Sequence, residues 1–444
     1  MQTQRDHVHA YQTLVGRMSA ALSLGDTNYA EPPARRALLG MVFGVVLALL
    51  VGVGFWVYGL INPGGNMAWR KPGAILMEKE SGALYVFRDG LLIPMRNQAS
   101  AMLFQGNGSR MESISRASLT ELPRGLPVGI PDAPGSLPSP SSLVSTPWLV
   151  CLPQSGKLSV NLSPDAESNP VGADSYAWVS AASGEQYLVW RDQKLRVADP
   201  SVPVALGLGT GAPPVAPAPW LAALPDGPVI GAAEITGSAS AKVGATTYPV
   251  GSLFKQDGTD RFYVLRKDGL APMSRTESLL LQAKTGKSAV VVDAAAVASA
   301  PRSTDTELTR RIPDLAAAKA VLPGEQVLCL RQRTEQTTVF SEVVTTSRAT
   351  GWIGMNEIVG AYVKPSTGVL VAAVPAPVET GRKPDRYLIT DRGMKYLLAD
   401  DDAIQALGLG GVTPRPMSAD LLAAIPSGPT LSRAAVGVNE KGRG

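Results

Sequence analysis

The hydrophobic positions of this chain follow three different patterns along its length. Near the N-terminus they recur every three or four residues, and from Ala37 to Ile61 they are continuous. After the continuous run they fall in short alternating or clustered groups, which Gly and Pro separate. These patterns predict, in that order, an amphipathic helix, a membrane-spanning helix and a large domain of short strands and helices.

The apolar positions before the continuous run share one face of a helix. They are Val8, Tyr11, Val15, Met18 and Leu22, with Leu14 alongside. Gly25 ends this predicted helix, and Pro32 and Pro33 separate it from the span. The 36 residues before the span are too few to bury the stripe in a core of their own. We therefore expect the stripe to dock in the groove of a partner protein. Packing on the membrane surface or on itself is the alternative, and the scarcity of Lys and Arg on the polar face disfavours the membrane surface.

The continuous run reads "ALLGMVFGVVLALLVGVGFWVYGLI" and contains no charged residue over its 25 positions. At about 1.5 Å per residue, a helix of this length covers the roughly 30 Å hydrocarbon core of a bilayer. A secretory signal has a shorter apolar region, and buried helices of soluble proteins rarely run this far without charge. The run therefore predicts an uncleaved single-pass anchor in the lipid bilayer.

The residues that flank the span set its expected orientation. Arg35 and Arg36 adjoin its N-terminal side, whereas the next positive charges lie nine residues beyond its other end. Trp56 and Tyr58 suit the far membrane–water interface. The positive-inside rule then places residues 1–36 in the cytoplasm and about 380 residues outside it.

Composition narrows the function of the outer domain. The chain has 444 residues, of which 45% are hydrophobic, so two or three domains with a sizeable core are expected. With 45 Gly, 36 Pro and only 6% aromatic residues, many short elements are favoured over long helices. The net charge of +4 is spread without a basic stripe, which argues against a nucleic-acid partner. The only two histidines, His7 and His9, precede the span, so a histidine-dependent triad or metal site is excluded beyond it.

One phrase recurs four times in the outer domain. The copies are "LTELPRGLP" from Leu119, "LAALPDGP" from Leu221, the weaker "VASAPRS" from Val297 and "LAAIPSGP" from Leu422. Each copy follows a strand-like run that opens on a tyrosine, by 34 residues in the first three copies and by 35 in the fourth. The landmark residues are Tyr85, Tyr187, Tyr263, Tyr387, Pro123, Pro225, Pro301 and Pro426. This spacing predicts four units of a β-hairpin, a helix and a short segment into the phrase, where the chain is expected to leave the unit.

The four units are separated by segments of uneven length. The only two cysteines lie in two of these segments, Cys151 in residues 135–175 and Cys329 in residues 303–375. An oxidising compartment favours a disulfide between them, and two buried free thiols are the alternative. We expect the separating segments to form a central core with the units around it, rather than a stack of neighbouring repeats.

The expected organisation follows from these landmarks. It comprises a cytoplasmic amphipathic helix and linker (1–36), the transmembrane helix (37–61), a juxtamembrane linker (62–73), repeat 1 (74–134), a core segment (135–175), repeat 2 (176–230), a core segment (231–253), repeat 3 (254–302), a core segment (303–375), repeat 4 (376–431) and a mobile tail (432–444).

The chain resembles the EccB family of the type VII (ESX) secretion system of mycobacteria and relatives. The resemblance rests on "RMSAALSLGD" at the end of the N-terminal helix, the span, "KESGALYV" from Lys79, and "PWLVC" at residues 147–151. In the last of these, Trp148, Val150 and Cys151 form a Trp-x-Val-Cys element. The order of all these features along nearly the whole chain strengthens the resemblance.

The resemblance implies a fold, a location and a set of partners. The fold would be α+β, with a single transmembrane helix and an elongated periplasmic domain of four small hairpin-helix repeats around a disulfide-linked central β-rich core. The protein would lie in the inner membrane, with EccC, EccD and EccE-like components as partners and with self-association through the periplasmic domain. EccC is the ATPase motor of that complex.

Two short motifs resemble catalytic ones but lack the rest of the pattern. "TGKS" at Thr285–Ser288 resembles the end of a phosphate-binding loop, but Leu281 stands where the loop requires glycine. "SLFK" at Ser252–Lys255 and "KTG" at Lys284–Gly286 resemble motifs of penicillin-recognising enzymes without the intervening Ser-Asp-Asn. We therefore expect Lys287 to be a solvated turn residue.

The sequence as a whole predicts a non-enzymatic scaffold of the inner-membrane core complex, which forms its periplasmic part. No catalytic, metal-ligating or cofactor-binding residue is predicted, and no cofactor is implied. Two alternatives stay open. One is an ATP hydrolase, an activity proposed for the family, and the other is a module that binds peptidoglycan or another envelope polymer.

Overall fold

The computed structural model describes residues 4–25, 34–61, 70–153, 158–209, 211–321, 324, 326–353, 361–376 and 383–437. Over this part the chain is a mixed α/β protein. Its helices are α1 (Gln4–Leu24), α2 (Ala34–Ile61), α3 (Gln98–Gln105), α4 (Ser201–Ala205), α5 (Ala218–Ala222), α6 (Arg275–Thr285), α7 (Ala294–Ser299), α8 (Arg348–Gly351), α9 (Asp401–Ala406) and α10 (Ala419–Ala424).

The strands are short and all lie beyond residue 73. They are β1 (Ala74–Glu78), β2 (Leu84–Arg88), β3 (Leu91–Met95), β4 (Arg110–Ile114), β5 (Trp148–Cys151), β6 (Ser159–Asn161), β7 (Asn169–Pro170), β8 (Ser175–Ser180), β9 (Gln186–Trp190), β10 (Gln193–Arg196), β11 (Ser240–Val243), β12 (Thr246–Pro249), β13 (Leu253–Gln256), β14 (Phe262–Arg266), β15 (Gly269–Met273), β16 (Val290–Val292), β17 (Lys319–Val321), β18 (Gln326–Glu335), β19 (Thr338–Ser347), β20 (Ala361–Tyr362), β21 (Gly368–Val374), β22 (Arg386–Thr390), β23 (Lys395–Leu398) and β24 (Arg415–Ser418).

The first two helices follow the predicted pattern. Helix α1 ends at Leu24, and Gly25 follows it with a left-handed φ of 70°, a conformation that glycine adopts at little cost. Helix α2 contains the whole uncharged run, and within the described residues it is the one helix long and apolar enough to cross a membrane. The predicted break at residues 32 and 33 lies outside the described residues.

Four four-stranded sheets share one strand arrangement. Sheet 1 is β1–β4, sheet 2 is β8–β10 with β17, sheet 3 is β13–β16, and sheet 4 is β21–β24. In each, three consecutive strands pair antiparallel, and a fourth strand pairs parallel with the first on its free side. Sheet 2 takes its fourth strand, β17, from beyond sheet 3, so the chain closes sheet 2 only after sheet 3 is complete.

The hairpin turn of sheet 1 is Asp89-Gly90, with positive φ at both residues. The hairpin turn of sheet 3 is displaced by one residue relative to its own Asp-Gly pair. Its two-residue loop is Lys267-Asp268, and Gly269 is the first residue of β15. Glycine is required there because a Cβ atom would lie 2.3 Å from the carbonyl oxygen of Pro301. This close contact brings the third copy of the repeated phrase against β15.

A six-stranded central sheet contains both cysteines. Its strand order is β20-β6-β5-β18-β19-β7, and Cys151 on β5 lies directly opposite Cys329 on β18. The two sulfur atoms form a disulfide bond of 2.05 Å that links residues 178 positions apart. The predicted core segments 135–175 and 303–375 therefore meet in one sheet, through backbone pairing as well as through the disulfide.

Removing this disulfide is expected to destabilise the outer domain. We predict that the double substitution Cys151→Ala and Cys329→Ala lowers the free energy of unfolding by about 2–4 kcal/mol, because a crosslink over a long loop restricts the unfolded chain. Urea unfolding of the detergent-solubilised protein, followed by circular dichroism, measures the change. A reductant should shift the wild-type curve in the same direction and leave the double variant unchanged. Coincident curves for wild type and variant contradict the prediction.

Three hydrophobic clusters join the sheets in a fixed spatial order. The largest contains residues of the central sheet together with residues of sheets 2 and 4, including Trp148 and Trp220, which are both fully buried. A second joins sheet 1 to sheet 4, where α3 contacts α9. A third joins sheet 2 to sheet 3, where α4 contacts α6. The order through space is therefore sheet 1, sheet 4, central sheet, sheet 2 and sheet 3.

Three segments differ from the predicted organisation. Residues 240–249 of the predicted core segment 231–253 form a separate two-stranded sheet, β11–β12, which packs with sheet 3. Strand β21 belongs to sheet 4 although it lies in the predicted core segment 303–375, because its apolar residues pair with β22. The start of the predicted mobile tail is ordered, since Val436 is buried and the Arg433 Nε donates to the Leu103 carbonyl at 3.1 Å.

Candidate functional site

Each landmark proline makes the same contact in its sheet. The carbonyl oxygens of Pro123, Pro225, Pro301 and Pro426 accept hydrogen bonds at 2.8, 3.0, 2.7 and 2.8 Å from backbone N–H groups of the third strands. The donors are Leu92, Lys194, Leu270 and Lys395. In all four sheets the residue two positions after the proline donates back to the same strand residue.

The chain does not leave the unit at this phrase, so that expectation is wrong. After the proline it continues parallel to the third strand, through bridges such as Met95 with Val128 and Leu398 with Leu431. Each proline and the residue two positions after it are held at the third strand by backbone bonds, so the phrase has the same place in all four sheets.

The four landmark tyrosines lie on the second strands, β2, β9, β14 and β22. Three of their hydroxyl groups donate to nearby side chains. Tyr85 donates to Glu78 at 3.4 Å, Tyr187 to Glu185 at 2.7 Å and Tyr263 to Gln256 at 3.4 Å. Burial raises the pKa of Tyr387. These contacts lie within single sheets, so the tyrosines are structural residues of the units.

Two lysines that sequence reasoning missed hold the short helices before the phrase. The Lys194 Nζ donates to the carbonyls of Leu221 and Leu224 at 3.1 and 2.8 Å, at the C-terminal end of α5. Lys395 makes the same two contacts at the C-terminal end of α10, with the carbonyls of Leu422 and Ile425. Burial lowers the pKa of Lys395, which is only 9% exposed. A positive charge at a helix C-terminus is favourable because the helix dipole is negative there.

The lysines distinguish the inner sheets from the outer ones. Sheets 2 and 4, which pack on the central sheet, carry Lys194 and Lys395, whereas sheets 1 and 3 carry Leu92 and Leu270 at the same position. Aligning the four copies by the Tyr-to-phrase spacing would have revealed this difference in the sequence.

Helices α5 and α10 contact each other on the central sheet and form the inner joint of the domain. Trp220 on α5 is fully buried, and its indole N–H donates to the Val150 carbonyl on β5 at 3.1 Å. Leu421 occupies the corresponding position on α10 and is also buried. In the outer units the residue before the phrase is the small Ser118 or Ala296. A large apolar residue directly before the phrase, Trp220 or Leu421, is therefore typical of the two units that pack on the central sheet.

A buried ion pair forms the outer joint between sheets 2 and 3. The Glu277 side chain on α6 is fully buried, and Arg311 donates to its two carboxylate oxygens at 2.7 and 2.9 Å. The same guanidinium donates to the Gly231 carbonyl, just after the phrase of sheet 2, at 2.6 Å. Burial raises the pKa of Glu277, and the bonds to Arg311 oppose that rise.

The predicted docking stripe lies on one exposed helix. The side chains of Val8, Tyr11, Val15, Met18 and Leu22 on α1 are between 47% and 86% exposed. Trp56 and Tyr58 are exposed on α2. Arg35 and Arg36 lie in the first turn of α2, and their side chains are outside the described part of the structure.

The two motifs that resemble catalytic ones lie in unsuitable positions. "TGKS" begins at the last residue of α6, where Gly286 caps the C-terminus with a φ of 66° and Lys287 is exposed. A phosphate-binding loop needs the opposite end of a helix, because the N–H groups that hold phosphate lie at the N-terminus. Ser252 directly precedes β13 and Lys255 lies within it, so the two residues do not share a helix face. In the described residues, no group of three His, Cys, Asp or Glu side chains could hold a metal ion.

These features define a class of protein: in the described residues, one helix long and apolar enough to span a membrane precedes a large, disulfide-bridged domain of packed sheets. The family described as "Type VII secretion system ESX-1, transport TM domain B" matches residues 1–442. The chain belongs to this family, EccB.

Named relatives and solved structures agree with this assignment. The chain is 26% identical to the "ESX-3 secretion system ATPase EccB3" of Mycolicibacterium smegmatis, over 97% of this chain and 89% of the relative. It is 26% identical to the "ESX-5 secretion system ATPase EccB5" of Mycobacterium marinum, over 97% and 92%. Among structures, it resembles a chain of an intact ESX-5 inner membrane complex (TM-score 0.58, 23% identity, 99% of this chain and 96% of that one). It also resembles an EccB3 dimer from the ESX-3 core complex (TM-score 0.56, 24% identity, 82% and 100%).

Proposed function

We propose that this chain is a structural scaffold of the inner-membrane core complex of a type VII secretion system, and that it forms the periplasmic part of that complex. One observation carries the proposal: a single hydrophobic cluster joins the disulfide-bridged central sheet to sheets 2 and 4, and sheets 1 and 3 pack on those. A domain joined in this way behaves as one rigid body on a single membrane anchor. Such a body is suited to holding other membrane components in fixed positions.

The domain organisation follows from the same observation. We infer that the four sheets are four related units around a central core, because they share one strand arrangement. Sheet 4 begins at β21, sheet 2 is completed by β17, and residues 432–437 pack on sheet 1. The lysine or leucine at the phrase contact distinguishes the two inner units from the two outer ones.

We infer that the short N-terminal segment lies in the cytoplasm and the sheet domain in the periplasm. A disulfide between Cys151 and Cys329 favours an oxidising compartment for the sheets. The exposed stripe on α1 is then available to cytoplasmic components of the complex, which resemble EccC, EccD and EccE. A membrane-impermeant thiol reagent should label Ser183→Cys, in an exposed turn of sheet 2, but not Ser19→Cys on α1, in intact spheroplasts. The reverse labelling contradicts this orientation.

The scaffold role is non-catalytic, although relatives carry "ATPase" in their names. The position of "TGKS" at a helix C-terminus supports this inference. Titration of the detergent-solubilised chain with radiolabelled ATP tests it directly. Saturable binding that the Lys287→Ala substitution abolishes would establish the ATP hydrolase alternative at that motif.

Deleting the gene for this chain tests the scaffold role, provided that the other membrane components are still synthesised. A strain that lacks this chain should still produce its partner membrane proteins but should not assemble them into the large complex or secrete substrates. Normal assembly in that strain contradicts the proposal.

A further inference from the structure

Strand β16 leaves an apolar edge of sheet 3 open. It is the last strand of its sheet, and no described strand pairs with its outer side. The Asp257 N–H donates to the Val292 carbonyl at 2.8 Å, so Val292 faces β13. Because backbone groups alternate in direction along a strand, the N–H and C=O groups of Val291 point away from the sheet. The side chains of Val290 and Val291 are 37% and 61% exposed.

The other three sheets protect the same edge. The pairing registers align Val290 and Val291 with Glu112 and Ser113 in sheet 1 and with Arg415 and Pro416 in sheet 4. In sheet 1, Glu112 forms an ion pair with Lys71 at 3.8 Å.

In sheet 4, proline lacks the N–H group that a new strand would need, and β24 also contacts β19. In sheet 2, the chain beside Ser180 is Pro213-Pro214-Val215. Charges and prolines are the usual protection of sheet edges against unwanted pairing. Only sheet 3, within the described structure, presents three valines without charge or proline.

We propose that β16 is a docking edge for β16 of a second copy of this chain, in an antiparallel pair with a two-fold axis at Val290. This deepens the proposed function, because it assigns a surface to the self-association of the scaffold. The register is fixed by charge. It places Lys287 opposite Asp293 of the second copy at both ends of the pair and places Ala289 opposite Val291.

Three properties of the edge agree with a second copy as its occupant. Lys287 and Asp293 are both exposed, and neither forms an ion pair with another described residue. The Asp293 Oδ1 caps α7 by accepting from the Ala296 N–H at 2.6 Å, which leaves Oδ2 for Lys287 of the second copy. A two-fold pair forms this ion pair twice, which an unrelated uncharged strand would not do. The outward N–H and C=O groups of Val291 gain partners in the same register. Ala289 exchanges its 3.4 Å contact with the Gln282 Oε1 for a backbone bond.

The pairing is short, and membrane anchoring compensates for this. Two copies held by α2 in one bilayer meet at a high effective concentration, so a small contact contributes to association that would be weak in solution. The edge is thus one contact of a larger assembly, and its loss weakens that assembly.

Cysteine crosslinking in native membranes tests the register. The Cα atoms of Val290 and its symmetry mate would be about 4.5 Å apart, which a disulfide can bridge. The Val290→Cys protein should form a covalent dimer under mild oxidation, roughly tenfold more than Glu112→Cys at the corresponding edge of sheet 1. The native cysteines are fully buried and already bonded, so they do not contribute.

A second substitution separates this proposal from the general scaffold role. Val291→Pro copies Pro416 and removes only an outward N–H. Added to the Val290→Cys protein, it should abolish the covalent dimer while the unfolding curve stays unchanged. Lys287→Asp in the same background should also weaken the dimer, by placing two like charges opposite each other.

The outcomes distinguish the two proposals. If Val290→Cys fails to dimerise while an amine-reactive crosslinker still joins wild-type copies, the edge proposal is overturned and the scaffold proposal stands. If neither reagent joins copies, self-association itself is overturned. A Val290→Cys crosslink to a different protein also contradicts a second copy as the occupant.

Discussion

Replacing Trp220 by alanine is expected to lower the free energy of unfolding by about 3–5 kcal/mol, one of the two largest effects of any single substitution considered. Trp220 on α5 is fully buried against the central sheet, so its truncation leaves a large cavity in the hydrophobic cluster. The substitution also leaves the Val150 carbonyl without its indole donor. Because Trp220 joins sheet 2 to the core, sheets 2 and 3 should loosen before sheets 1 and 4.

Trp220→Phe is the matched control. It keeps a buried six-membered ring and loses the pyrrole ring with its hydrogen bond, so it should cost less than alanine, about 1–2 kcal/mol. Urea unfolding of the solubilised protein by circular dichroism measures both variants, and hydrogen exchange locates the loosened sheets. A loss under about 1 kcal/mol for alanine, or uniform exchange across all sheets, would show that α5 is not a joint.

Arg311→Ala is expected to be comparably damaging, at about 3–5 kcal/mol near neutral pH. The substitution leaves the fully buried Glu277 carboxylate without its bidentate partner and removes the bond to the Gly231 carbonyl. An uncompensated buried charge costs far more than an exposed one, because the carboxylate has left water. The same unfolding measurement gives the magnitude.

The pH dependence of this variant has a defined sign. Burial already raises the pKa of Glu277 above its ordinary value of 4.5, and loss of Arg311 removes the interaction that opposes the rise. A raised pKa in the folded state means that stability is fully present when the carboxyl is protonated and is lost as the pH rises through that pKa.

The loss of unfolding free energy in Arg311→Ala, relative to wild type, should therefore shrink as the pH falls from about 7.5 toward about 5. When Arg311→Ala is combined with Glu277→Gln, which carries no charge, this loss of unfolding free energy should be smaller and independent of pH. A deficit that grows on acidification contradicts the role of Glu277.

The elements near the membrane were accessible from sequence alone because their signals are local. A 25-residue run without charge has one structural solution at a bilayer, and a helical stripe followed by Gly25 predicts the end of α1. The disulfide was also predicted, since two cysteines in the outer domain admit only one intramolecular pair. The spacing between tyrosine and proline is similar in the four copies because each tyrosine and its proline lie in the same sheet.

Pairings and contacts between segments far apart in the sequence could not be predicted from local patterns. Nothing local in residues 319–321 indicates that they complete sheet 2, because a parallel partner strand is chosen by three-dimensional packing. In the sequence, the half-buried Lys194 and the buried Lys395 look like ordinary polar residues of a strand, because their helix carbonyl partners lie about 30 positions away. The strand β21 was placed in the core for a similar reason, since its apolar residues suit either sheet.

A scaffold of a larger membrane complex should purify together with its partners. The most direct test is the mass and composition of the complex purified, under mild detergent, through a tag on this chain expressed at its native level. We expect a large particle that contains more than one copy of this chain together with other membrane components of the secretion system. Recovery of the chain as a monomer without partners would contradict it.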